Sequence, residues 1–159
     1  MEYKKDKRTK NLTLREIHVG DWVQVWNELT ECYFPPMKII QISEDGTIYL
    51  VRSNADRISP WVKDIKDVDA LPITADLLEE FGFKLGSSTS FCVRGPLREL
   101  SGTNRTVFHG DTLMGWLYEY CDGSAKFMAE GCCKYMHELC DKLSRKFKFI
   151  QLEWKGIKK

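Results

Sequence analysis

The segment Gly20-Asp21-Trp22-Val23-Gln24-Val25-Trp26 is rich in aromatic and β-branched residues, which predicts a strand. Trp22 and Trp26 share one parity on it, and Val23 and Val25 share the other. Side chains alternate across a strand, so both faces are apolar, and the strand is either buried on both sides or lends one face to a partner. Met37–Ile42 and Thr47–Val51 read as two more strands, joined at Glu44-Asp45-Gly46, where glycine supplies the positive φ of a tight hairpin. Between the first two lies Cys32-Tyr33-Phe34-Pro35-Pro36, a loop set by its double proline. The polar stretch 53–71 reads as a connector, with Trp61, Val62 and Ile65 packed back on the sheet.

Helical spacing appears twice. Leu77, Leu78 and Phe81 form one face of a short helix within Pro72–Phe83, with Thr74 capping its first amides and Gly82 closing it in the left-handed C′ position. From Tyr135 to Phe147, Met136, Leu139, Cys140, Leu143 and Phe147 share one stripe, and Lys142, Arg145, Lys146 and Lys148 gather at the C-terminal end, where cations favour the helix dipole. Between the helices, Ser90–Glu130 predicts an antiparallel meander. Its strands are Phe91–Val93, Thr106–His109, Leu113–Cys121 and Ala125–Glu130, with a hairpin turn at Asp122-Gly123 and a long loop marked by Gly95-Pro96 and Ser101–Asn104. A last strand is expected over 149–154.

The fold expected is α+β. Residues 1–11 form a disordered basic arm. Residues 12–71 form an SH3-like β subdomain with its connector, and 72–159 form a subdomain of helix, meander, helix and strand.

Composition narrows the function. With 43% hydrophobic and 30% charged residues, the 159-residue chain has material for a core, and no apolar run approaches the roughly 20 residues that span a bilayer. The N-terminus lacks the apolar stretch of a secretory signal, so a cytoplasmic protein with six unpaired thiols is expected. Net charge is +1, yet the first ten and the last five residues each carry +3, which leaves −5 for residues 11–154. A dedicated nucleic-acid binder shows a basic body, and this chain does not.

Three landmarks run in order over 12–154: Ile17-His18-Val19-Gly20-Asp21-Trp22-Val23, then Pro72-Ile73-Thr74 with Leu77-Leu78 and Phe81-Gly82-Phe83, then Tyr135-Met136-His137-Glu138-Leu139. Together they resemble an uncharacterised family of small proteins from gut anaerobes, their phages and mobile elements. Members carry a Pro-Leu/Ile-Thr…Leu…Phe-Gly-Phe helix and close with a Tyr-x-His-x-Leu helix after a β-meander. The resemblance implies a fold and a habitat, and assigns no catalytic residue.

Candidate chemistry centres on Gly131–Cys140. On a continuous helix Cys133, His137 and Cys140 would share one face and, with Cys132 or Cys121, could ligate zinc. No second Cys-x2–4-Cys knuckle accompanies them, so buried thiols and a core-edge histidine bonded to a carbonyl are the expectation, with no metal and no cofactor. Cys133 near a helix start, with His109 or His137 as base, outlines a thiol enzyme, but nothing supplies an oxyanion hole. Glu79-Glu80 reads as a solvated face, and no phosphate loop, Gly-x-Ser-x-Gly or Gly-x-Gly-x-x-Gly occurs. The dense aromatic region is Trp22, Trp26, Tyr33, Phe34 and Trp61, which in an SH3-like sheet forms either the core or a surface that binds extended peptides or stacks bases. The expectation is therefore a non-enzymatic accessory protein that binds another protein, with no membrane contact. The alternative is nucleic-acid binding, with Lys4, Lys5, Lys7, Arg8, Lys142, Arg145 and Lys146 on phosphates.

Overall fold

The computed structural model describes residues 8–52, 60–94, 99–121, 124–128, 131–146 and 154. The chain divides into two compact units, Met1–Leu71 with Tyr135–Gln151, and Pro72–Lys134 with Leu152–Lys159. The boundary between them falls after Leu71, and the C-terminal helix belongs to the first unit.

In the first unit, Trp22–Asn27 (β1) is central. It pairs antiparallel with Cys32–Tyr33 (β2), Met37–Ile42 (β3) and Val68–Asp69 (β6) at successive positions. β3 pairs with Thr47–Val51 (β4), and β4 with Trp61–Asp64 (β5), giving the order β2-β1-β3-β4-β5 with β6 on β1. One strand serving three partners curls the sheet into a half-barrel. The β3–β4 hairpin turns at Asp45-Gly46 as expected: Gly46 has φ 93° and the Asp45 carboxylate accepts the Thr47 N–H at 3.0 Å. The supposed connector is structured from Trp61 onward, through β5, a 3-10 turn at Ile65–Asp67 and β6. Its polar composition hid this, because an edge strand needs only alternate apolar residues. Trp61 and Ile65 pack against the core, whereas Val62 stands 54% exposed.

That core gathers Leu12, Ile17, Val23, Val25, Met37, Ile39, Ile48, Leu50 and Val68. Residues 8–11, expected within a disordered arm, are held against this unit. The Arg8 guanidinium grips Asp69 through Nη2 at 2.7 Å and Nε at 3.0 Å, Thr9 donates to the Ala70 carbonyl, and Asn11 bridges to Asp69. Asp69 is fully buried, and its carboxylate accepts from Arg8, from the Asn11 side-chain amide at 3.1 Å and from the Tyr33 hydroxyl at 2.6 Å, the partners that a buried charge requires. Met136–Lys146 (α2) packs on β1, and the Met136 N–H donates to the Leu71 carbonyl at 2.8 Å. β1 is thus buried on both sides: Val23 and Val25 in the half-barrel core, and Trp22, 2% exposed, with the Cys140 thiol accepting from its backbone N–H.

In the second unit, Ala75–Glu80 (α1) has the expected caps. The Thr74 hydroxyl accepts the Leu77 N–H at 3.1 Å, and Gly82 has φ 90°. Glu80 accepts the Trp154 indole N–H at 3.3 Å, so it is not merely solvated. Lys84–Leu85 (β7), Thr89–Arg94 (β8), Glu99–His109 (β9), Thr112–Tyr120 (β10), Ala125–Met128 (β11) and Cys132–Cys133 (β12) form an antiparallel sheet in the order β12-β11-β10-β9-β7, with β8 also on β9. Ser101–Asn104, expected as loop, lies inside β9. Gly102 is the reason that glycine belongs in a strand here: a Cβ on it would come 2.0 Å from the Glu119 carbonyl oxygen. The Asp122-Gly123 turn and the 149–153 part of the last strand lie outside the described residues. The pairing Glu119↔Ala125 stands on either side of that turn.

Candidate functional site

The second sheet has two unlike faces. On one, Leu117, Phe127 and Cys133 line up in register, are fully buried, and share that condition with Val107. On the other, the register aligns Trp116 with Met128 and Cys132, Tyr118 with Lys126, and Tyr120 with Gly102 and Phe91. These side chains are half-buried or exposed, and Trp116 is 43% exposed. Phe91, Tyr118, Tyr120, Lys126, Met128 and Cys132 enclose a hollow of about 280 Å³. Phe91 stands edge-to-face against both Tyr118, at 5.4 Å, and Tyr120, at 5.6 Å. Each such pair contributes about 0.5–1.5 kcal/mol beyond area burial, which holds the wall in shape. Gly102 lies opposite both Phe91 and Tyr120 in the register. Lys126 Nζ lies 5.6 Å from the Tyr120 ring centroid and is, among the described residues, the one charged side chain lining the hollow.

The first unit holds a second constellation. The Asp21 side chain, 2% exposed, accepts the His18 backbone N–H at 2.8 Å and lies beside Asp141 of α2. His18 Nδ1 is 3.2 Å from Asp141 and 3.7 Å from Asp21. Burial and the hydrogen-bonded Asp141 carboxyl push the Asp21 carboxyl up to about 8, because two adjacent carboxylates in a low dielectric do not both ionise readily. Ligating atoms of the three residues lie within 4.8 Å of one another, the one such group among the described residues. One imidazole and two carboxylates could hold a divalent cation, yet the hydrogen bonds within the trio account for its geometry without one.

The structure separates several sequence-predicted sets. Cys133 sits in β12 and is fully buried, whereas His137 and Cys140 lie on α2. The continuous helical stripe that zinc or thiol chemistry needs does not form, since the chain is extended at 132–133. Burial pushes the Cys140 thiol up to about 12, the reverse of nucleophile activation. His137 is buried and stacked on Tyr135 at 5.9 Å. Its Nδ1 has no hydrogen-bond partner among the described residues, where a carbonyl contact was expected, and burial lowers its pKa. None of the six cysteines is in a disulfide.

The five aromatics of the first unit occupy three places rather than one. Trp22 is core. Trp26 meets Tyr33 at 5.0 Å with Arg8 over its ring, and Phe34 meets Trp61 at 5.4 Å with Lys63 over both. Of the basic set, Lys4, Lys5 and Lys7 and the side chains of Arg145 and Lys146 lie outside the described residues. Arg8 is committed to Asp69, and Lys142 is half-buried. Sequence reasoning placed β10 and β11 but passed over the period-two series Trp116, Tyr118, Tyr120 and Lys126, Met128, which is the signal for the open face. Comparison of the chain with protein-family models, curated proteins and solved structures gives no match.

Proposed function

We propose that this is a non-enzymatic binding protein acting through protein–protein contact, and that a partner docks on the open aromatic face of the second sheet. One observation carries the reading: a hollow of about 280 Å³, walled by three aromatic rings in edge-to-face contact, on an otherwise open sheet face. Aromatic-lined pockets of this kind receive the anchor residues that dominate interface energetics. The buried Cys133 and the raised pKa of the Cys140 thiol fit a chain that binds rather than reacts. The curled first sheet, with Phe34 and Trp61 beside Pro35 and Pro60, reads as SH3-like. The resemblance drawn from the sequence favours an accessory factor of a phage or mobile element, directed at a host protein in the cytoplasm.

The same exposed rings favour a second reading, base stacking on a sheet face. Affinity capture from the native host, with nuclease treatment, separates the two. The expected outcome is a partner that survives nuclease and is lost with Trp116→Ser or Tyr118→Ala, both variants melting as cooperatively as the parent. Capture indifferent to both substitutions defeats the docking reading. Tight, steeply salt-dependent binding of DNA or RNA in a fluorescence-anisotropy titration establishes the second reading in its place.

A further inference from the structure

Resting on the reading that this face is where a partner docks, we infer that its hollow receives one aromatic side chain of an extended polypeptide segment, with an acidic residue flanking that ring. Size comes first. Pockets for cofactors and drug-sized ligands span about 300–1,000 Å³ and enclose most of the ligand. A hollow of about 280 Å³ on the surface of a sheet lies at the small end of that range and suits a single large side chain. Shape points to a ring. Phe91 already meets Tyr118 and Tyr120 edge-to-face, and a further aromatic extends the same packing, whereas a branched aliphatic chain forgoes it. Met128 at the margin is unbranched and polarizable, so it adjusts to the ring that enters.

Charge supplies the flanking residue. Among the described residues, Lys126 is the only ionisable side chain lining the hollow apart from Cys132 and the two tyrosines, and none of the described lining residues is a carboxylate. A partner carboxylate beside the anchor pairs with Lys126 Nζ, and a partner lysine there meets like charge. One lysine also discriminates against nucleic acid. Affinity for a strand grows with the number of neutralised phosphates, and a stacking platform with a single cation lacks the charged groove that tracks a backbone.

The test is a heteronuclear NMR titration of the full chain with three pentapeptides, Gly-Glu-Trp-Asp-Gly, Gly-Lys-Trp-Lys-Gly and Gly-Glu-Ala-Asp-Gly, and with a short oligothymidylate. The acidic tryptophan peptide is expected to give saturable shifts at the amides of Phe91, Tyr118, Tyr120, Lys126 and Met128. The basic peptide should bind about tenfold more weakly, and the alanine peptide should leave these signals in place. Lys126→Glu should reverse the order of the acidic and basic peptides, a gain that unfolding does not mimic. Equal affinity for the two tryptophan peptides, binding of the alanine peptide, or oligothymidylate shifting the same signals more strongly overturns the inference. If no peptide binds while partner capture still depends on Tyr118, this inference alone falls. If capture is also indifferent to Tyr118, the docking reading falls with it.

Discussion

Two titratable residues of the first unit pull stability in opposite directions as pH changes. The folded state holds the Asp21 carboxyl up at about 8 through burial and the Asp141 carboxyl, so between the ordinary carboxyl range and pH 8 the native protein binds a proton that the unfolded chain has released. Stability from this group is therefore full below about pH 4 and is lost progressively as pH rises to about 8. His137 works the other way: burial lowers its pKa, so the native state binds fewer protons than the unfolded one, and stability falls as pH drops below the ordinary histidine range. Urea denaturation from pH 4 to 9 tests both. Asp21→Asn should be less destabilised, relative to the parent, at pH 8 than at pH 5, and His137→Gln should lose the acid-side decline. A parent-like pH profile for Asp21→Asn would mean that the carboxyl is ordinary. Thiol reactivity is the second residue-scale prediction. Cys92, Cys121 and Cys132 are exposed, whereas Cys133 is buried and the Cys140 thiol is held up at about 12. Ellman's reagent at neutral pH should modify the exposed three promptly and reach Cys133 and Cys140 only after unfolding; rapid modification of Cys140 would restore the thiol-enzyme reading.

Elements were legible wherever a local signal was strong. The Asp45-Gly46 hairpin and the α1 caps at Thr74 and Gly82 stand where their residues demanded, since turn and cap chemistry depends on a few neighbouring backbone groups. Two elements were misread because their cause is not local. β5 and β6 are polar in composition, and their pairing with β4 and β1 is what makes them strands. Ser101–Asn104 has loop composition, yet Gly102 is in β9 because the Glu119 carbonyl of β10 occupies the space of a side chain. The open face was hidden for a related reason, since alternation shows two faces and tertiary packing decides which is covered. Gly102→Ala therefore has to push β9 from β10 and should cost at least about 1–3 kcal/mol by chemical denaturation. Thr74→Ala, which removes a single cap bond, should cost about 1 kcal/mol. The two values in the reverse order would show that the sheet yields at Gly102 more easily than the close approach implies.

At the scale of the whole molecule, the first unit is discontinuous in sequence. The chain leaves it at Leu71 and returns at Tyr135, with Pro72–Lys134 of the second unit between, and the second unit resumes at Leu152. The stripe Met136, Leu139, Leu143 announced an amphipathic helix, but a stripe does not name the surface it covers, and proximity in sequence suggested the meander. The partner is β1 instead: α2 brings Asp141 beside Asp21 and the Cys140 thiol to the Trp22 backbone N–H. Both faces of β1 are apolar for that reason, one meeting the half-barrel core and the other lying under the returning helix. A chain ending at Lys134 keeps every strand of the half-barrel and lacks this cover. Trp22 and the Asp21 carboxyl then meet water, and the protection of β1 against hydrogen exchange should drop by at least about tenfold, or about 1.4 kcal/mol of local opening free energy. Amides of β9 and β10 in the second unit should keep their protection. Undiminished protection in β1 would mean that the half-barrel closes without α2.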